Sequence, residues 1–196
     1  MKEENIDKRT AILKAAMELI AENGFHGAPT AMIATRACVG TGTIYRYFAD
    51  KDVLIKEVFK DVEARLNMVL MENYPADQSV RCRIDHYYNG LIRFFLENPM
   101  EFKFLGQFYD SPYGVAVRRD KIFAQKGNED RCEAMKSLFE QGIAEGVIKD
   151  LPIVILFAIF FGSLISVVRD HTLGFIELDD QLIRLTSEAS WDAIKR

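Results

Sequence analysis

Apolar residues recur at helical spacing almost from end to end of this chain, while the apolar/polar alternation of a half-buried strand is nearly absent. A period near 3.6 lines up apolar side chains on one stripe of a helix, whereas a sheet needs a period of two. The chain is therefore expected to be all-α. Glycine and proline set the boundaries, since glycine accepts the left-handed turn that ends a helix and proline has no amide to continue one. The stops are Asn23-Gly24, Cys38-Val39-Gly40, Tyr74-Pro75, Asn98-Pro99 and Ser111-Pro112. Helices are predicted over about 6–22, 30–37, 41–48, 51–73, 77–97, 100–109, 115–145, 151–170 and 176–195. Ile12, Leu13, Ala16, Leu19 and Ile20 make the inward stripe of the first, and Ile33, Ala34 and Ala37 that of the second. Pro29 suits a first turn, Thr30 can supply a capping or phosphate-binding hydroxyl, and Asp50 caps the fourth helix.

Helices two and three are short and joined by a tight turn containing glycine, which is the helix-turn-helix pattern. At 100° per residue, Ile44 and Phe48 fall on the inner side of the third helix, while Gly42, Thr43 and Arg46 face outward, flanked by Tyr45 and Tyr47. Such a face fits a DNA major groove. Arg46 can make two hydrogen bonds to guanine, and Gly42 lets the backbone approach closely. Lys51, with the amides that open the fourth helix, is placed for a phosphate. The expected organisation is a helix-turn-helix DNA-binding domain over 1–50 and a larger helical domain over 51–196.

Charge agrees with this division. The 196-residue chain carries a net −4, yet residues 1–60 hold nine Lys/Arg against eight Asp/Glu, so the acidic excess lies downstream. The densely charged first ten residues lack the apolar run of an export signal, which implies a cytoplasmic protein. Cys38, Cys82 and Cys132 are widely spaced and suit neither a disulfide framework nor zinc, so no metal or cofactor is expected. Residues 153–168 are apolar all round, but sixteen fall short of the twenty or so a bilayer span needs. A buried or interfacial helix is expected there, and no membrane contact.

The run Val39-Gly40-Thr41-Gly42-Thr43-Ile44-Tyr45-Arg46-Tyr47-Phe48, followed by Asp50-Lys51 and Leu54, resembles the signature of the TetR family of transcriptional regulators. The resemblance covers about residues 6–60. It implies phosphate contacts from Thr30, Tyr45, Tyr47 and Lys51, and base or near-base contacts from Thr41, Gly42, Thr43 and Arg46. It also implies a carboxyl-terminal ligand-binding and dimerisation domain, and a repressor that leaves a palindromic operator when its effector binds. Gly40 stands where the family usually has a capping serine, so Thr41 is expected to take over the capping. Cys38 stands where glycine or alanine is common.

In the family the last two helices of each subunit form a four-helix dimer interface, which here implicates Ile155, Ile159, Gly162, Ser166, Leu182, Leu185 and Ala189. Residues 84–140 concentrate aromatics. A pocket for a largely apolar effector, drawing on His86, Tyr87, Arg93, Phe94, Phe104, Phe108, Phe123 and Phe139, competes with the reading of these rings as a well-filled core. The tilt of the fourth helix would be the lever of induction. The alternatives are a DNA binder or activator that needs no ligand, and a helical enzyme. For the last, His26, His86 and His171 sit in no recognisable catalytic arrangement.

Overall fold

A computed structural model describes residues 2–123 and 131–196, apart from the side chains of 2–7, 121–123 and 131–133. Ten helices account for the fold over the described residues: α1 (Lys2–Asn23), α2 (Thr30–Arg36), α3 (Thr41–Tyr47), α4 (Lys51–Met71), α5 (Val80–Glu97), α6 (Pro99–Tyr109), α7 (Pro112–Phe123), α8 (Arg131–Ala144), α9 (Ile153–Thr172) and α10 (Asp180–Ile194). Among these residues the sole β-type pairing is an isolated antiparallel bridge between Ile148 and Lys195.

Several ends follow from local chemistry. Gly24, at φ 74°, takes the left-handed turn after α1, and its amide donates to Ile20 O at 2.8 Å. Asp50 Oδ1 accepts from Val53 N at 2.8 Å and so caps α4. Other boundaries depart from the sequence reading. Ser111-Pro112 stops α6 but also starts α7, because proline is at home in a first turn and Ser111 Oγ accepts from Gly114 N at 3.4 Å. Accordingly the helix expected over 115–145 is, across the described residues, two helices, with 124–130 lying outside the description. The last helix begins at Asp180, since the Asp179 carboxylate caps it through Leu182 N at 2.7 Å.

The chain divides into two compact units. Unit 1 takes the residues up to Arg65 together with Asn98–Ala116. Its buried apolar residues include Ile12, Leu13, Ala16, Leu19 and Ile20 of α1, Ile33 and Ala34 of α2, Ile44 of α3, Phe48, and Leu54, Ile55 and Val58 of α4. Helix α6 packs along α1, contributes Phe104, Leu105 and Phe108, and stacks Phe108 on Phe59 with ring centroids 4.1 Å apart. The buried Glu101 carboxylate is met by Arg65 at 2.7 Å, which compensates its removal from water.

Unit 2 takes Leu66–Glu97 and the residues from Val117 onward. Helix α5 is its centre and packs against α8, α9 and α10. It buries Val80, Ile84, Tyr87, Tyr88, Leu91, Ile92, Phe94 and Phe95. Helix α9 buries Leu156, Phe157, Phe160, Leu164 and Val168, an i, i+4 ladder that marks one covered face. Phe139 of α8 lies 5.6 Å from Phe157 and 5.8 Å from Phe160, centroid to centroid.

Candidate DNA interface

Helix α3 owes its orientation to two anchors, Ile44 and Phe48, whose side chains are 2% and 1% exposed. Anchoring on that side leaves Thr41, Gly42, Tyr45 and Arg46 exposed and Thr43 and Tyr47 half-buried. Tyr45 has 53% of its surface open to solvent, too much for a core residue. Arg46 makes no intramolecular hydrogen bond or ion pair among the described residues, so its guanidinium is available to a partner. A Cβ built on Gly42 would meet nothing within 4 Å. Among the described residues nothing therefore requires glycine at this position, although glycine weakens a helix.

The flanking residues are held differently from the sequence expectation. The cap of α3 is Gly40, with no side-chain capping bond, and Thr41 is already helical. The expected transfer of capping to Thr41 does not occur, because a cap needs extended backbone and Gly40 supplies it at φ −73° and ψ 146°. In the same way Pro29 caps α2 rather than opening its first turn, and the half-buried Thr30 makes no capping bond. Lys51 is half-buried, and its Nζ donates to Phe25 O at 2.6 Å. Burial lowers its pKa against the opposing pull of Asp52. Arg36, by contrast, is engaged by Glu22 at 2.8 Å.

The residues read as an effector site fall into separate groups. Phe104 and Phe108 lie in the core of unit 1. Tyr87, Phe94 and Phe139 are buried in unit 2. His86 is half-buried, hydrogen-bonded at 2.9 Å to Leu70 O and edge-on to Tyr74. Arg93 is exposed and paired with Asp180 at 2.7 Å. The side chain of Phe123 lies outside the described residues. Of the residues read as a dimer face, Ile155, Leu182 and Leu185 are exposed, as is Ala189, while Ile159 and Ser166 are half-buried. Gly162 faces open space. Sequence reading gave no sign that Gln107 and Tyr113 belong to the unit that carries α3.

A short, solvent-facing recognition helix without acidic residues, seated by apolar anchors in a helical unit, defines the class of helix-turn-helix DNA-binding regulators. Comparison with known proteins agrees. Residues 12–58 match the family described as bacterial regulatory proteins, tetR family, and residues 59–196 match the Tetracyclin repressor-like C-terminal domain. The chain belongs to the TetR family of bacterial regulatory proteins. It is 32% identical to a TetR-family protein of Vibrio parahaemolyticus of known structure, with a TM-score of 0.75 over 96% of this chain and 99% of that one. It is 28% identical to the HTH-type transcriptional regulator BetI of Vibrio campbellii over 149 residues, 70% of this chain and 71% of that protein. The likeness to the fatty acid metabolism regulator protein of Bacillus subtilis is 44% over 54 residues, and spans only 28% of each chain.

Proposed function

We propose that this chain is a homodimeric transcriptional repressor of the cytoplasm that leaves a palindromic operator when a small, largely apolar effector binds its larger helical domain. The observation that carries the reading is the α3 surface: Arg46, Tyr45 and the open Gly42 project from a helix anchored by Ile44 and Phe48. Arg46 and Thr43 read base edges. Thr41 and Gly42 lie against them, while Thr30, Tyr45, Tyr47 and Lys51 contact phosphate. For Lys51 this means keeping its bond to Phe25 O while sharing its remaining protons with the phosphate. DNA binding is the task of 1–50, and effector binding and dimerisation that of 51–196. The buried aromatics Tyr87, Phe94 and Phe139, together with His86 and Arg93, are the residues of the larger domain offered for the effector.

Dimerisation is supported by the apolar side chains that α9 and α10 leave exposed, Ile155, Ile165, Leu182 and Leu185, and by the open Gly162 between them. Helix α9 is 20 residues long and apolar enough, by length and composition, to cross a membrane. One of its faces is nevertheless committed to the core of unit 2, and its last turn carries Arg169 and His171, as suits a subunit interface. A two-fold dimer presents its recognition helices one helical repeat apart, about 34–36 Å, or a multiple of it, and so demands a palindromic site.

The test is selection of duplexes from a randomised library by the purified chain. Recovery of a palindromic sequence is expected, with binding abolished by the Arg46→Ala, Tyr47→Ala double substitution. Failure to enrich any sequence at low salt would refute the reading. A search of apolar compounds for thermal stabilisation and operator release then separates this reading from a ligand-independent regulator.

A further inference from the structure

Residues 98–116 fall within the carboxyl-terminal family match, yet they fold into unit 1. One side chain of this segment touches both ends of the helix-turn-helix. The Tyr113 ring lies beside that of Phe25, centroids 5.7 Å apart, and its hydroxyl donates to Asp52 Oδ1 at 2.6 Å. Phe25 precedes α2, Asp52 is the second residue of α4, and α2 and α3 are strung between them. The same two ends are joined once more by Lys51 Nζ on Phe25 O. Gln107, from the same segment as Tyr113, fixes the end of α1: its Nε2 donates to Ala21 O at 3.2 Å. Behind Tyr113, the Phe108 ring stacks at 6.4 Å, so the phenol is backed by a buried side chain.

We infer that Tyr113 is a positioning residue for operator recognition: ring and hydroxyl together clasp Phe25 to Asp52, and the clasp fixes the orientation in which α3 is presented to the groove. The inference rests on the regulator reading above and adds to it a residue remote in sequence from the helix-turn-helix. Closing residues 25–52 at both ends restricts the motions open to the helices between them. A loosely held α3 keeps its charges and still meets phosphate. Base-edge hydrogen bonds, however, need donors placed to within about 0.5 Å. Tyr113 thus acts on selectivity more than on general affinity for DNA.

The experiment uses the full chain, the duplex that the wild type recovers from a randomised library, and a scrambled duplex of equal length. All comparisons are made at a temperature where circular dichroism shows every variant folded. Tyr113→Phe keeps the ring on Phe25 and removes only the hydroxyl. It is expected to lose roughly tenfold in affinity for the selected duplex, with a far smaller fall on the scrambled one. Asp52→Ala behaves alike, and Asp52→Asn, which keeps an accepting oxygen, loses less than Asp52→Ala. The Tyr113→Phe, Asp52→Ala double variant loses no more than the worse single one, because both remove the same bond. Wild-type selectivity in Tyr113→Phe, or losses that add in the double variant, overturns the inference and leaves the regulator reading intact. A wild-type chain that selects no duplex overturns both.

Discussion

Cys38 follows α2 with φ at 54°, in the left-handed region where a Cβ crowds the following carbonyl. Glycine has no such atom, so Cys38→Gly is expected to stabilise the protein by about 1 kcal/mol after allowing for its freer unfolded chain. For a chain of this size that raises the melting midpoint by about 2–4 °C in calorimetry, and a lower midpoint would refute the strain argument. Four residues on, Gly42 separates stability from recognition. Since an added methyl meets nothing within 4 Å, Gly42→Ala is expected to gain up to ~1 kcal/mol in urea unfolding while weakening operator binding. A variant that binds the operator as tightly as the wild type would show that the backbone of α3 does not come close to DNA there. Tyr113 gives a third prediction. Its hydrogen bond to Asp52, aided by burial and by the charges of Asp52 and Asp50, pushes the phenol up from 10.0 to about 12. Below pH 10 folded and unfolded chains both hold the proton and the stabilisation is complete. Between pH 10 and about 12 the unfolded chain releases it first, so stability falls as pH rises. That slope in denaturation midpoint should be shallower in Tyr113→Phe. Equal slopes would mean the bond does not persist in solution.

Two glycines of neighbouring helices predict opposite outcomes. Gly106 lies inside α6, and a Cβ there would meet nothing within 4 Å. Gly114, in the first turn of α7, would set a Cβ 2.1 Å from Phe108 O and 2.4 Å from Tyr109 Cα, backbone atoms that cannot swing aside. Gly106→Ala should therefore stabilise by up to ~1 kcal/mol. Gly114→Ala should destabilise by about 1–3 kcal/mol, both read from urea midpoints. The reverse order would contradict the described α6–α7 corner. The corner also shows what could be read from sequence. The stop at Gly24, the cap at Asp50 and the inward Ile44 and Phe48 were legible because each depends on neighbours within a turn or two. The α3 face was legible for the same reason. Ser111-Pro112 was legible only as a stop, since one dipeptide both closes α6 and opens α7. The partner of α6 was not legible at all: periodicity reports that a helix has an apolar face, and is silent on which distant helix covers it. Tyr113 and Asp52, 61 residues apart, leave no periodic trace in the sequence.

At the scale of the whole molecule, the exposed apolar stripe of α9 and α10 is the face proposed above to join two chains. Leu156, Phe160, Leu164 and Val168 face inward on α9, while Ile155 and Ile165 remain 45% and 44% exposed. On α10 Leu182 and Leu185 are open beside the exposed Arg184 and Glu188, a charged edge that suits a protein partner better than lipid. Because these side chains are already in solvent, charging them breaks nothing within one protomer. Ile155→Glu combined with Leu185→Glu is expected to leave helix content and the unfolding transition close to wild type and to halve the mass found by light scattering at micromolar concentration. Operator affinity should then drop by roughly a hundredfold or more, because one chain engages only one half-site and the second contact no longer profits from being tethered to the first. A variant that keeps the two-chain mass would place the interface elsewhere. A wild-type chain that partitions into lipid vesicles and resists a high-salt wash would instead assign the α9 stripe to a membrane.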